Sequence, residues 1–179
     1  MIHVALIRGV NVGGRNLLTM VDLRRTCETL GLKNPRTLLV SGNLVVEGPG
    51  SAAEVEARLE KGVKKHLGFD LEFFVRSSKA WDAIIEGNPF PKEAKADPGH
   101  TLLLCLKHKV APVKVKALQA RIPGRESLEA WGREAYAVYP DGIGRSKLTT
   151  ALIDRTLGTH CTGRNWNTVL KLQAMAHAG

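Results

Sequence analysis

Three short stretches gather the side chains best suited to hold an anion. The first is Arg8-Gly9-Val10-Asn11-Val12-Gly13-Gly14-Arg15-Asn16. The second is Gly142-Ile143-Gly144-Arg145-Ser146-Lys147, and the third Thr162-Gly163-Arg164-Asn165-Trp166-Asn167-Thr168. Each joins glycine to arginine. Glycine permits φ > 0 and leaves backbone N–H groups uncovered. A guanidinium beside such N–H groups adds charge and a fork of donors that fits phosphate or carboxylate. The candidate contacts are Arg8, Asn11, Arg15, Arg145, Lys147, Arg164 and Asn165, with the backbone N–H groups of Gly13, Gly14 and Gly144.

Spacing rejects two familiar phosphate sites. Gly9 and Gly14 stand as in a P-loop, but Arg15 and Asn16 replace its Lys and its Ser or Thr. The next helix start is displaced to Thr19, so a magnesium-dependent NTPase is rejected. Gly9, Gly13 and Gly14 do not fit G-x-G-x-x-G, so a dinucleotide fingerprint is absent. In the second stretch Ser146 is expected to open a helix, where free N–H groups and the dipole favour an anion. A glycine turn with a serine cap accounts for the same residues. The third stretch is expected to precede the last helix. Trp166, in line with Val169 and Leu170, is assigned to the core in preference to a stacking face for a base. Ser41-Gly42-Asn43 is a tight hairpin or a bulge.

Catalytic signals are scarce. The histidines are scattered, and His160-Cys161 adjacency does not set a thiol against an imidazole. No H-E-x-x-H, C-x-x-C or G-x-S-x-G occurs. No metal or cofactor is expected, and no acid, base or nucleophile is identified. Cys27, Cys105 and Cys161 are far apart and read as small core residues in a reducing, cytoplasmic setting. No signal peptide and no apolar run of roughly 18 residues is read, so no membrane association is expected.

The elements that must position these stretches follow from periodicity. Residues 2–7 are a buried strand. Thr19 and Asp22 cap a helix carrying Met20, Leu23, Cys27 and Leu30, which Gly31 and Leu32 close. Residues 37–40 and 44–46 are strands. Ser51–Glu54 is a capping box for a helix carrying Val55, Leu59, Val63 and Leu67, ended by Gly68. Residues 71–75 are a strand, and a short helix holds Trp81, Ile84 and Ile85. Three prolines among charges, Pro89, Pro91 and Pro98, mark a linker, set at residues 91–99. The order then restarts: a strand over 101–106, a helix from Pro112, a hairpin about Gly132-Arg133 and two closing helices. The expected fold is α+β, with two ferredoxin-like (split β-α-β) subdomains. Each has a mostly antiparallel sheet with helices on one face. The first subdomain covers residues 1–90 and the second 100–179.

The 179 residues carry a formal charge of +9, of which residues 96–179 supply +6. That balance favours nucleic acid, nucleotides or phosphorylated metabolites as partners, although general solubility explains it equally well. Oligomeric state is not set by the sequence.

Four motifs, Arg8–Asn16, Ser41–Val46, Asp141–Leu148 and Thr162–Thr168, resemble the hallmarks of a bacterial family known as domain of unknown function 1697. They keep its order along almost the whole chain. The resemblance implies an α+β fold of two related subdomains and implies no activity. Gly163, Leu44 and Arg15 depart from the family pattern, and Arg15 keeps the positive charge of the more frequent Lys. Three functional readings stand. The leading one is a binding protein for a phosphate-bearing ligand, nucleic acid or nucleotide. The second is an enzyme acting on a small anionic or phosphorylated substrate. The third is a structural protein whose glycine loops only define the fold.

Overall fold

The apolar N-terminal run forms the central strand of a four-stranded antiparallel sheet. In the computed structural model, which describes residues 1–14 and 17–178, β1 spans Ile2–Ile7. It is followed by α1 (Met20–Thr29), β2 (Lys33–Leu38), β3 (Asn43–Glu47), α2 (Ala52–Leu67) and β4 (Phe73–Ser77). The strand order is β2-β3-β1-β4. β1 pairs antiparallel with both β3 and β4, which is the ferredoxin-like arrangement. After α3 (Ser78–Glu86) and α4 (Pro91–Ala96), the same succession recurs. It runs β5 (Thr101–Leu106), α5 (Pro112–Gln119), β6 (Ser127–Trp131), β7 (Glu134–Val138), α6 (Thr150–Leu157) and β8 (Cys161–Asn165). The order is β6-β7-β5-β8, again antiparallel. The last helix is α7 (Trp166–His177).

The chain divides into two units. One holds Met1–Ala83 with Lys171–Gly179, the other Ile84–Leu170. The repeat of element order is thus a repeat of topology. Each unit has its own core between sheet and helices. In the first, Ala5, Ile7, Leu44, Val46 and Phe73 pack with Leu23, Cys27, Val55, Leu59 and Val63. In the second, Leu102, Leu104, Leu106, Ala135 and Ala137 pack with Val115, Leu118, Ile153 and Leu157. These are the alternate residues of each strand and the i, i+4 faces of each helix.

Local chemistry explains the helix ends. Thr19 Oγ1 accepts from Asp22 N at 3.0 Å. Leu32 N donates to Cys27 O and Gly31 N to Glu28 O, a complete Schellman closure about Gly31 at φ 75°. Ser51 and Glu54 form the reciprocal capping box. All three cysteines are buried and none is in a disulfide. Burial pushes the Cys27 thiol up to about 12, which leaves it protonated and unreactive.

Four elements differ from the sequence expectation, one of them helix α4, which occupies residues 91–96 of the expected linker. β2 begins at Lys33 rather than Thr37, and Leu39 and Val40 sit exposed in the turn. The run Lys33-Asn34-Pro35-Arg36 does not look like a strand, because proline removes a donor. An edge strand tolerates it with a bulge, and the register does shift between Lys33 and Arg36. Ser146 does not open a helix: α6 starts at Thr150, capped by Thr149. The stretch Thr162–Asn165 is not a loop but lies in strand β8.

His3 lies in the middle of the first sheet and is fully buried. Neither ring nitrogen reaches hydrogen-bonding geometry. Burial holds the imidazole below its ordinary value of 6.5, and the Gly48 backbone offsets only part of that. The unfolded chain therefore binds the proton more readily than the folded one. Stability from neutral His3 is present above about pH 6.5 and is lost as pH falls through the folded value. Urea midpoints measured at about pH 7 and about pH 5 should fall for the native chain and fall less for His3→Leu. An equal fall in both would remove His3 as a cause.

Candidate functional site

Arg8 leaves the end of β1 with its N–H donated to Glu72 O at 3.0 Å. Its Nε stands 3.9 Å from Glu72 Oε2, with both side chains about one-third exposed. Beyond it Gly9, Asn11, Gly13 and Gly14 all take positive φ, from 55° to 73°. Val10 is buried, which pins the loop to the core. The Asn11 amide is committed to the loop itself. Its Oδ1 accepts from Leu18 N at 2.8 Å, and its Nδ2 donates to Leu18 O at 2.9 Å and Val40 O at 2.7 Å. Gly13 and Gly14 are exposed, and a Cβ at either would meet nothing within 4 Å. Arg15 lies outside the described residues.

The turn at Ser41–Asn43 meets this loop. Ile7 N donates to Gly42 O at 2.8 Å. Gly42 adopts φ 82°, and a Cβ there would stand 2.6 Å from Val10 Cγ1 and 2.8 Å from Ile7 Cβ. The contact needs glycine because no side chain fits between the turn and β1. Asn43 is buried and donates to Leu38 O and Ser41 Oγ. Two motifs distant in sequence are thus one structural cluster. The turn residues alone gave no sign of this, since the signal lies in the pairing of β1 with β3.

In the second unit, Gly142–Lys147 follows β7 and borders a hollow of about 280 Å³. Glu126, Asp141, Gly142, Arg145, Ser146 and Lys147 contribute to its wall. Arg145 and Lys147 are exposed. A Cβ on Gly144 would meet nothing within 4 Å, so its backbone is open. Of the two acidic groups Asp141 is paired, while Glu126 is bonded through Oε1 alone and its Oε2 is buried without a partner. Arg125 Nε donates to Asp141 Oδ2 at 3.0 Å and its Nη2 to Oδ1. Those bonds hold the Asp141 carboxyl below its ordinary range. Ser146 Oγ donates to Glu126 Oε1 at 2.5 Å and accepts from Leu148 N. Because α6 begins only at Thr150, no helix dipole supports an anion here. Charge and open backbone carry that role instead.

The third stretch does not join this hollow. Arg164 pairs in register with Leu103, and neighbouring Gly163 abuts Leu104 on the helix side. Arg164 therefore points to the sheet face away from α5 and α6. Its Nη1 donates to Gly163 O at 2.7 Å and Thr162 Oγ1 at 3.1 Å. Burial draws its guanidinium down to about 10. Asn165 Oδ1 accepts from Thr168 N, capping α7. Trp166 is in the core.

Two carboxylate–imidazole pairs escaped the sequence reading. His100 Nδ1 lies 2.7 Å from Asp97 Oδ2. Its Nε2 faces the position that a Gly142 Cβ would occupy, at 3.9 Å. His177 Nε2 lies 2.9 Å from Asp82 Oδ1, and hydrogen bonds from His177 and Gln173 hold that carboxyl below its ordinary range. The Asp97–His100 spacing within a Pro-Gly turn was a readable signal; the other pair needs the fold.

These features define an α+β protein of two ferredoxin-like units bearing glycine–arginine loops. The chain belongs to the family described as Protein of unknown function (DUF1697), whose model matches residues 1–136. That span includes Arg8–Asn16 and Ser41–Val46 and stops before the two later motifs. A solved structure, the conserved bacterial protein SP0830 from Streptococcus pneumoniae, is 24% identical with a TM-score of 0.76. The match covers 98% of each chain and shows a shared fold. Comparison with curated proteins gives no match. Among the described residues, no helix is long and apolar enough to cross a membrane.

Proposed function

We propose that this protein binds a phosphate-bearing ligand, nucleic acid or nucleotide, and that the Gly142–Lys147 hollow is a contact site. The observation that carries the reading is the wall itself. Arg145 and Lys147 reach the hollow as exposed cations beside the open Gly144 backbone. With Asp141 held by Arg125, the local balance favours an anion. Gly13 and Gly14, with Arg8, offer a second set of donors on the first unit, and Arg15 belongs to the reading by residue type alone. Asn11 and Asn165 serve the reading only indirectly, because their side chains order the backbone around these stretches. Arg164, half-buried, is set aside as a contact by its local bonds.

The test is a salt-titrated binding assay with short single- and double-stranded DNA and RNA, beside a nucleotide panel. Binding through phosphate should weaken steeply as salt rises. Arg145→Ala and Lys147→Ala should each weaken binding about fivefold, the effect of about 1 kcal/mol for an exposed charge-assisted contact. Binding that is absent at low salt, or affinity unchanged from the native chain in both variants, would overturn the proposal.

A further inference from the structure

Among the described residues, four of the ten exposed large apolar side chains gather at one tip of the first unit. They are Val12 (65% exposed), Leu17 (67%), Leu39 (59%) and Val40 (68%). The Asn11 amide draws them together. It bonds to Leu18 N, Leu18 O and Val40 O, and each of the four is Val40 itself or a chain neighbour of Asn11, Leu18 or Val40. The tip is fixed from below, where Val10 is buried and Gly42 packs on Ile7 and Val10. Leu39 takes φ 59°, where glycine or asparagine is at ease and leucine is strained. Leucine gains neither burial nor turn geometry there. A rigid apolar tip of this kind marks a contact surface.

Its surroundings choose the partner. The side chains are aliphatic and offer no ring for a base to stack on. Residues 8–21 and 33–46, which build the tip, contain Arg8, Arg15, Lys33 and Arg36 and neither Asp nor Glu. Arg24 adds a guanidinium at the foot of the turn, where its Nη1 donates to Thr37 Oγ1 at 2.7 Å. Of the neighbouring acids, Asp22 is bonded to Thr19 and Glu72 stands beside Arg8. Between Val12 and Leu17 the sequence runs Gly13-Gly14-Arg15-Asn16, residue types that suit a phosphate oxygen. Apolar side chains and phosphate-binding types thus share one segment. An anionic phospholipid surface carries both complements, phosphate at the headgroup and hydrocarbon beneath it. No helix of the described residues crosses a membrane. Lying against one needs only a few apolar side chains with cations beside them.

We propose that this tip docks on an anionic phospholipid surface, with Val12, Leu17, Leu39 and Val40 entering the headgroup region and the surrounding cations facing lipid phosphate. The site lies within the first unit and does not rest on the phosphate reading of the Gly142–Lys147 hollow.

Co-sedimentation of the full chain with vesicles tests it, comparing phosphatidylglycerol and phosphatidylcholine in equal parts with phosphatidylcholine alone. The mixed vesicles should bind the protein about tenfold more tightly than the neutral ones, and rising salt should weaken that binding. Leu39→Asn should weaken it about tenfold through the lost apolar burial. The urea midpoint of that variant should hold or rise, because asparagine suits the left-handed turn. Val40→Trp should shift its emission to the blue on the mixed vesicles. Arg145→Ala should leave vesicle binding unchanged, so the tip and the hollow fail separately. No sedimentation with the mixed vesicles overturns the proposal. So does equal binding to neutral vesicles, or native affinity in Leu39→Asn. A native chain that ignores vesicles but forms a dimer, which Leu39→Asn dissociates, overturns it in favour of a second copy.

Discussion

Gly42→Ala is expected to destabilise the first unit by about 3 kcal/mol, summing a left-handed alanine at about 1 kcal/mol with about 2 kcal/mol of overpacking. The two costs have separate origins. Gly42 sits at φ 82°, a region that an L side chain enters only with strain. Its added Cβ also falls 2.6 Å from Val10 Cγ1 and 2.8 Å from Ile7 Cβ. The Val10 methyl can turn aside. Ile7 Cβ cannot, because it is fixed to the backbone of β1, and Ile7 N is bonded to Gly42 O. Relief therefore requires the hairpin tip to lift off β1, which breaks that bond.

Gly14→Ala supplies the control. Gly14 has φ 73°, but a Cβ there meets nothing within 4 Å. It should show the conformational cost alone, about 1 kcal/mol. Urea unfolding of both variants separates the two costs, and equal losses of stability would refute the clash. If the loop after β1 is a binding wall, Gly42→Ala should also loosen it, since Val10 is the residue that anchors that loop to the core.

Most of the architecture was written in local patterns. The apolar run of Ile2–Ile7, the Ser51–Glu54 box and the Gly31 closure each point to one local structure, and the fold is built on them. β2 was obscured because an edge strand can carry Pro35 and a bulge that no central strand would accept. The start of α6 was obscured because Ser146 and Thr149 both look like caps. Glu126 takes the Ser146 hydroxyl, twenty residues away, and leaves Thr149 to accept from Leu152 N.

The candidate contacts were harder, for a related reason. Residue type announces that a side chain can bind an anion; it does not say whether the fold has already used it. Arg145 and Lys147 keep their charges at an open wall. Arg164 has the same chemistry, but strand alternation puts it on a buried face, bonded to its own neighbours. Asn165 is spent on a helix cap.

Asn11 tests that distinction most directly, and Asn11→Ala is expected to cost about 3 kcal/mol, close to the Gly42→Ala loss. Three hydrogen bonds disappear, to Leu18 N, Leu18 O and Val40 O. At a partly buried site these amount to about 2 kcal/mol together. The remainder is the left-handed backbone, at φ 55°, which alanine tolerates less well than asparagine. Asn11→Gly removes the same bonds and relieves the backbone, so it should recover about 1 kcal/mol. Asn11→Asp keeps the acceptor for Leu18 N and loses both amide donations, and should fall between the native chain and Asn11→Ala. Amide exchange at Leu18 should quicken in the Ala and Gly variants and stay slower in the Asp variant. A ligand-contacting asparagine with no part in the fold predicts the opposite pattern: weaker binding, unchanged stability and unchanged exchange at Leu18. That pattern would return Asn11 to the list of contacts and remove the clasp between the first loop and the β2–β3 turn as the reason that asparagine stands there.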